Sequence, residues 1–135
     1  MSKNIILVSG KRKTAVAKLR ADSGSGAIIF NGVSSEALPL FHKLALSEPI
    51  KIFEREIGPV KYNFHIHALG GGKEAQIQAA RLAIAKALVK LSGSDTLRKA
   101  YLVYDRNMLV ADARRKEANK PGDSAPRAKR QKSYR

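Results

Sequence analysis

Polar and apolar residues alternate along positions 60–68, where every second side chain is apolar. The apolar set is Val60, Tyr62, Phe64, Ile66 and Ala68, and the polar set between them is Lys61, Asn63, His65 and His67. This period of two predicts a β-strand with one face against a hydrophobic core. Shorter aliphatic runs predict three more strands, at Ile5–Val8, Thr14–Arg20 and Ala27–Phe30, the last of them ending at the turn dipeptide Asn31-Gly32.

In other parts of the chain, the spacing of apolar residues is typical of helices. Residues Lys73–Leu91 predict the longest helix, because apolar residues recur there every three or four positions, at Ile77, Ala80, Ile84, Leu88 and Leu91. Ser34–Glu36 predicts another helix start, followed by apolar residues at Leu38, Phe41, Leu44 and Ala45 and by an interruption at Pro49. Ile50–Ile57 and Thr96–Tyr101 then predict two short helices.

Strands come first and helices later, which predicts an α+β fold with helices on one face of a mainly antiparallel sheet. The 135 residues suit a single domain, and an apolar content of 44% is ordinary for a folded chain. No segment has 18 consecutive apolar residues, and the apolar run Ile5–Val8 is too short for a signal-peptide core. The absence of cysteine excludes disulfide frameworks and thiolate metal sites, and the simplest location is the cytoplasm.

The net charge indicates what kind of molecule the protein binds. A formal charge of +15 implies an anionic partner: nucleic acid first, an anionic membrane surface second and an acidic protein third. The excess is concentrated at the end of the chain, since residues 113–135 hold 9 basic and 2 acidic side chains. This segment has too few large apolar residues to offset the entropy of ordering. We therefore divide the chain into a globular body, residues 1–112, and an extended basic tail, residues 113–135.

Three basic clusters predict contacts with RNA phosphates. Lys11, Arg12 and Lys13 follow Gly10 on a predicted turn, Arg114, Arg115 and Lys116 begin the tail, and residues 127–135 end it. The alternatives are a solvated β-turn for the first cluster and a solubilising charge run for the tail.

The segment Gly70-Gly71-Gly72-Lys73 lies between a predicted strand and a predicted helix, where backbone amides can hold a phosphate. It is not a nucleotide-binding P-loop, because Glu74 follows the lysine and the upstream glycine is missing. An RNA phosphate contact and a tight turn without a ligand both remain open.

Metal and catalytic sites have little support. His65 and His67 share one strand face, and His42 is the only other histidine, so no third metal ligand is evident. Asp105-Arg106 and Asp112-Arg114 resemble local ion pairs rather than acid–base machinery. No catalytic motif stands out, and we expect no enzyme activity, no cofactor and no bound metal.

Five segments occur in an order that resembles the universal ribosomal protein S-nine family, the ninth protein of the small subunit. They are Gly10–Ala17, Gly24–Gly32, Gly70–Gly72 with Gln76 and Ala80-Arg81, Tyr104–Val110, and Arg127–Arg135. The resemblance covers nearly the whole chain. Its Tyr-Asp-Arg segment and its Ser-Tyr-Arg ending are similar to the archaeal and eukaryotic branch, and the short length favours an archaeal member.

The resemblance implies a body similar to the second domain of ribosomal protein S-five, with a left-handed βαβ crossover. The body would bind ribosomal RNA in the head of the small subunit, beside neighbouring head proteins, and the tail would reach the tRNA in the peptidyl site. The rRNA contacts that the resemblance implies are Lys11, Arg12, Lys13, Arg127, Lys129 and Arg130, and the charge pattern adds Arg114, Arg115, Lys116 and Lys120. The implied tRNA-proximal residues are Lys132, Ser133, Tyr134 and Arg135, and Gly70–Lys73 is a possible phosphate turn.

Two segments depart from the family pattern. Relatives often have Gly-Asp-Pro-Arg-Arg at the body–tail junction, where this chain has Ala111–Arg115, and Glu74 after the glycines would repel a phosphate. Two alternative functions also remain: a basic RNA-processing protein or nuclease subunit, and a nonspecific DNA-compacting protein.

Overall fold

The computed structural model describes residues 5–122 and 125–127. The strands are β1 (Ile6–Arg12), β2 (Ala15–Ser23), β3 (Ile28–Phe30), β4 (Val33–Ser34) and β5 (Tyr62–Leu69). The helices are α1 (Leu40–Glu56), α2 (Lys73–Ser92) and α3 (Asp95–Tyr104), with 3-10 turns at Ser35–Ala37 and Arg106–Met108. The predicted α+β class is confirmed.

The five strands form one sheet in the order β1-β2-β5-β3-β4. Three neighbouring pairs are antiparallel, but β3 and β5 run parallel, with Ile28 opposite Phe64. The sheet is therefore mixed rather than purely antiparallel, and antiparallel pairs predominate in it as predicted. The reason for the parallel pair is the connection: a strand that follows a helical crossover can return in the same direction, which a tight hairpin does not allow. The left-handed crossover and the likeness to protein S-five stay predictions.

One face of the sheet and helix α2 make the core. The inward residues of β2 and β5 are buried, as β5's alternation predicts, and α2 lies across β1, β2 and β5. Gly10 marks the closest approach, because a Cβ there would lie 2.2 Å from the carbonyl oxygen of Ala79 on α2. The outward residues Lys18, Arg20 and His67 are exposed, so the described helices pack on one face only.

Two predictions about helix α1 were wrong. The helix starts at Leu40, not at Ser34–Glu36, and it continues through Pro49 to Glu56 without a break. Pro49 is buried, and its carbonyl accepts a hydrogen bond of 2.6 Å from the hydroxyl of Tyr101 on α3. Burial raises the pKa of Tyr101 above its usual range and keeps this donor protonated. This contact anchors Pro49 to α3 within a continuous helix, even though proline donates no backbone hydrogen bond there.

The face that α1 buries also differs from the prediction. Phe41 and Leu44 are 81% and 43% exposed, and the buried positions of α1 are Leu46, Pro49, Ile52 and Phe53. The sequence pattern fails here because proline predicts a helix break, and a break at Pro49 divides one continuous stripe between two short helices.

Candidate nucleic-acid interface

The first basic cluster lies at the end of the β1–β2 hairpin. Gly10, Lys11 and Arg12 belong to strand β1 rather than to the turn, so the predicted basic turn is shorter than expected. The turn itself is Lys13-Thr14, with Arg12 paired to Ala15 across it, and Lys13 has a φ of 53°. The side chains of Lys11 and Lys13 are exposed at this end, and Arg12 is half-buried.

The chain returns to this hairpin after the last 3-10 turn. Met108 is buried in the core, and the chain after it carries Asp112 to the end of β1, where Asp112 bonds Arg12, 100 positions earlier in the sequence. Residues 111–120 have no helix or strand, and most of their side chains are exposed. The extended basic tail and its boundary at residue 112 stay predictions.

Asp112 is the centre of the junction between the body and this segment. Its carboxylate accepts hydrogen bonds from Arg12, from the backbone N–H of Arg114 at 2.9 Å and from the guanidinium of Arg114 at 2.6 to 3.1 Å. The predicted Asp112–Arg114 ion pair is therefore confirmed. These bonds, above all the one from the Arg114 side chain, hold the pKa of Asp112 well below its usual range.

The two segments enclose a cleft of about 630 Å³ between them. We call it the junction cleft, and it is lined by Arg12, Lys13, Thr14, Arg114, Arg115 and Lys116. Five of these six side chains are basic, so the cleft brings together two of the three clusters that the sequence predicts as phosphate contacts. A concave site lined by arginine and lysine side chains suits phosphate oxygens, since Arg offers forked donors and Lys a point charge.

The remaining predicted contacts lie elsewhere. Lys120 is exposed on the extended segment, and Arg127 pairs with Glu117 at 2.9 Å. The other six positions lie outside the described residues: Lys129, Arg130, Lys132, Ser133, Tyr134 and Arg135.

The glycine turn packs against the same hairpin. Gly70 and Gly71 have φ values of 77° and 60°, and a Cβ on Gly70 would lie 2.6 Å from the carbonyl oxygen of Thr14. Gln76 closes the turn with a 3.0 Å hydrogen bond from its side chain to the carbonyl of Gly70. Close approach and positive φ thus explain these glycines without a ligand. A phosphate contact at Gly72 and Lys73 stays a prediction.

The carboxylate of Glu74, which follows the glycine turn, has a partner on a neighbouring helix. Its Oε1 lies 2.7 Å from Nε2 of His42 on α1. The carboxylate that follows the glycines is therefore engaged with a neighbouring helix.

Comparison with known proteins decides the family. A family model described as ribosomal protein S9/S16 matches residues 10–135. The chain belongs to this family. It is 40% identical over 134 residues to the small ribosomal subunit protein uS9 of Methanococcus vannielii, covering 97% of this chain and 98% of the relative. The proteins of the same name from Methanococcus maripaludis strains C5 and C7 match equally, at 40% identity over 134 residues and the same coverage. The predicted family and its archaeal branch are confirmed.

The sequence analysis of this S9/S16 family member did not predict that one of its arginines is buried and paired with two carboxylates. Arg81 on α2 is only 9% exposed, and its guanidinium lies 2.7 Å from Glu48 of α1 and 3.4 Å from Asp105 after α3. The predicted Asp105–Arg106 pair was therefore wrong, because Asp105 turns toward Arg81. The available signal was an arginine four residues after Ile77, within the apolar stripe of α2.

The outer face of the sheet forms a second, shallower basic surface. It is lined by Leu7, Lys18, Arg20, His65 and His67, and Asp22 lies 3.7 Å from His65 and 3.8 Å from Arg20. Within residues 5–122 and 125–127, no three His, Cys, Asp or Glu side chains lie close enough together to hold a metal ion. In the same ranges, no helix has the length and hydropathy that a membrane span requires.

Proposed function

We propose that this protein is a structural constituent of the small ribosomal subunit, in the cytoplasm, and that it binds small-subunit rRNA through the junction cleft. Family membership and the archaeal relatives named small ribosomal subunit protein uS9 support the structural role. No feature of the described residues argues for catalysis. The observation that carries the RNA contact is that five basic residues from two distant segments line one cleft.

Phosphate contacts suit this role because a structural rRNA protein must recognise shape and backbone more than base sequence. The head of the subunit, with its rRNA and neighbouring proteins, is the proposed location. The family resemblance supports a second contact, in which Lys132, Ser133, Tyr134 and Arg135 approach the tRNA in the peptidyl site. A few charge-assisted hydrogen bonds there would give affinity that still allows the tRNA to leave.

The cleft can be tested by removing two of its charges. The double change Arg12→Gln and Arg114→Gln should weaken binding of full-length protein to a head-domain rRNA fragment by about tenfold or more at 100 mM salt. The slope of log K against log salt should also fall by roughly 0.7 to 0.9 for each lost phosphate contact.

A matched control removes charge away from the cleft. Lys51 and Lys99 are exposed on α1 and α3, and neither lines the cleft, so Lys51→Gln with Lys99→Gln removes the same charge. An equal loss of affinity in both double variants would mean that total charge, rather than the cleft, governs binding, and would contradict the proposal.

The tail contact has its own experiment. Deleting residues 132–135 should leave incorporation into small subunits unchanged and weaken tRNA binding at the peptidyl site several-fold, because charge-assisted contacts are lost. Filter binding of tRNA to reconstituted subunits measures this loss. If truncated protein failed to enter subunits while tRNA bound normally to those that formed, the proposed division of labour between body and tail would be wrong.

A further inference from the structure

A carboxylate lies beside the proposed RNA site, because Asp112 bonds two arginines that line the junction cleft without lining the cleft itself. Asp112 lines an adjoining pocket together with Lys11, Arg12 and Arg114, and the carboxylate of Asp105 lines the same pocket. By charge alone, a negative side chain beside a phosphate site should repel the RNA and weaken binding. The contacts of Asp112 indicate a different effect.

Asp112 joins two segments of the chain through several hydrogen bonds. Its carboxylate holds Arg12 of β1 on one side and both the backbone and the guanidinium of Arg114 on the other. Its own carbonyl accepts a 2.9 Å hydrogen bond from Arg115. One residue thereby fixes where the extended segment leaves the body and how three arginines are oriented.

The carboxylate faces inward while the arginine facing it remains accessible. The side chain of Asp112 is 9% exposed, whereas that of Arg114 is 76% exposed. The bonds to Asp112 use Nε and Nη2 of Arg114, and its Nη1 has no partner among the described residues. The inner donors are thus engaged by Asp112, and outer donors remain available to a phosphate.

Without the Asp112 carboxylate, nothing would hold the arginines of the cleft in these orientations. Arg12, Arg114 and Arg115 would repel one another across the cleft, and the flexible side chain of Arg114 would have no fixed partner. Ordering it on RNA would then cost side-chain entropy that the free protein with Asp112 has already lost.

We propose that Asp112 is a positioning residue for RNA: it holds Arg12 and Arg114 on two sides of the junction cleft and thereby strengthens phosphate binding despite its negative charge. The proposal rests on the proposed function of the cleft. Asp112 itself does not touch the RNA. It acts through the two arginines.

The change Asp112→Asn tests this proposal, because charge and positioning predict opposite results. It raises the net charge by one, so charge alone predicts tighter binding. Loss of positioning predicts affinity for a structured head-domain rRNA fragment about three- to tenfold lower. Glu54→Gln is the matched control, since Glu54 is exposed on α1 and its loss gives the same change in charge.

A second RNA separates positioning from simple destabilisation. An unstructured single-stranded RNA should bind Asp112→Asn as tightly as the unchanged protein or more tightly, because it adapts to any arrangement of cations. Asp112→Glu, which keeps a carboxylate, should recover part of the affinity for structured RNA. Thermal unfolding of all three proteins should agree within about 2 °C, because the junction lies outside the core.

Equal or tighter binding of structured RNA by Asp112→Asn would overturn the proposal. So would an equal loss for both RNAs, which would indicate general damage. In either case, the double variant Arg12→Gln and Arg114→Gln tests separately whether the cleft binds RNA. If this variant still binds RNA more weakly, the proposed function stands without a role for Asp112. If it does not, the proposed function fails as well.

Discussion

This protein has two clusters of arginines and carboxylates, and the ratio of arginines to carboxylates is opposite in the two. Around Arg81, one arginine faces two carboxylates, Glu48 and Asp105. Around Asp112, one carboxylate faces two arginines, Arg12 and Arg114. The side chain of Arg81 is 10% exposed, and that of Arg114 is 76% exposed.

The difference separates a structural role from a binding role. When carboxylates are in excess, they use the donors of the arginine and join the helices that carry them, here α1, α2 and the end of α3. When arginines are in excess, some donors remain free, and the group keeps a positive charge at the surface that an anion can approach. A basic residue in this chain is therefore not by itself evidence of an RNA contact.

The largest expected effect comes from breaking the structural group. Arg81→Met should lower the free energy of unfolding by about 2 kcal/mol, because it leaves two partly shielded carboxylates without their cation. Denaturant unfolding measures this loss. The affinity of the folded variant for rRNA should stay within about twofold of the unchanged protein, since the donors of Arg81 already face Glu48 and Asp105.

Arg55→Met is the control for this change, because Arg55 is exposed and, among the described residues, pairs with its neighbour Glu56 alone, at 3.4 Å. Its cost should be below about 0.5 kcal/mol, as for most surface ion pairs. If Arg81→Met weakened RNA binding as strongly as the changes in the junction cleft, the distinction between the two groups would be wrong.

A smaller effect should appear on acidification. A lowered pKa means that the Asp112 carboxylate stabilises the junction above the ordinary aspartate value of about 3.9 and loses this contribution as the pH falls through its own lower value. The backbone amide of Arg114 reports this directly by NMR, because it donates to Oδ1 of Asp112.

The titration midpoint seen at that amide should lie well below 3.9, with circular dichroism recorded in parallel to confirm that the fold persists. A midpoint at or above 3.9 would mean that Arg12 and Arg114 do not hold the carboxylate in solution. The contrast between the cluster around Arg81 and the cluster around Asp112 would then lose its basis.

The sequence predicted the parts of the fold that local periodicity determines. The alternation of β5 was confirmed, because it reports which face of the strand meets the core. In α2 the predicted positions Ile77, Ala80, Ile84 and Leu88 are buried and Leu91 is half-buried, but the helix buries more than this one stripe, since most positions from Ile77 to Leu88 are buried. The turn at Asn31-Gly32 was also confirmed, with φ values of 50° and 80°. Pro49 was misjudged because tertiary packing against Tyr101 overrides the local preference of proline.

The candidate site was predicted only in pieces. Local sequence identified Lys11–Lys13 and Arg114–Lys116 as basic clusters, but not that they share a cleft, because 100 positions separate Arg12 from Asp112. Their meeting depends on the β1–β2 hairpin and on Met108, which is buried in the core four residues before Asp112. Pattern within one segment carries no information about such a long-range contact.

The most direct test of the central claim is a cryo-electron microscopy structure of small subunits reconstituted with this protein. The account predicts an rRNA phosphate in the junction cleft, within hydrogen-bond distance of Arg114 and close to Lys13, with Asp112 still bonded to Arg12. A cleft that opens to solvent or is covered by another protein, with the rRNA contacting only other surfaces of the chain, would contradict it.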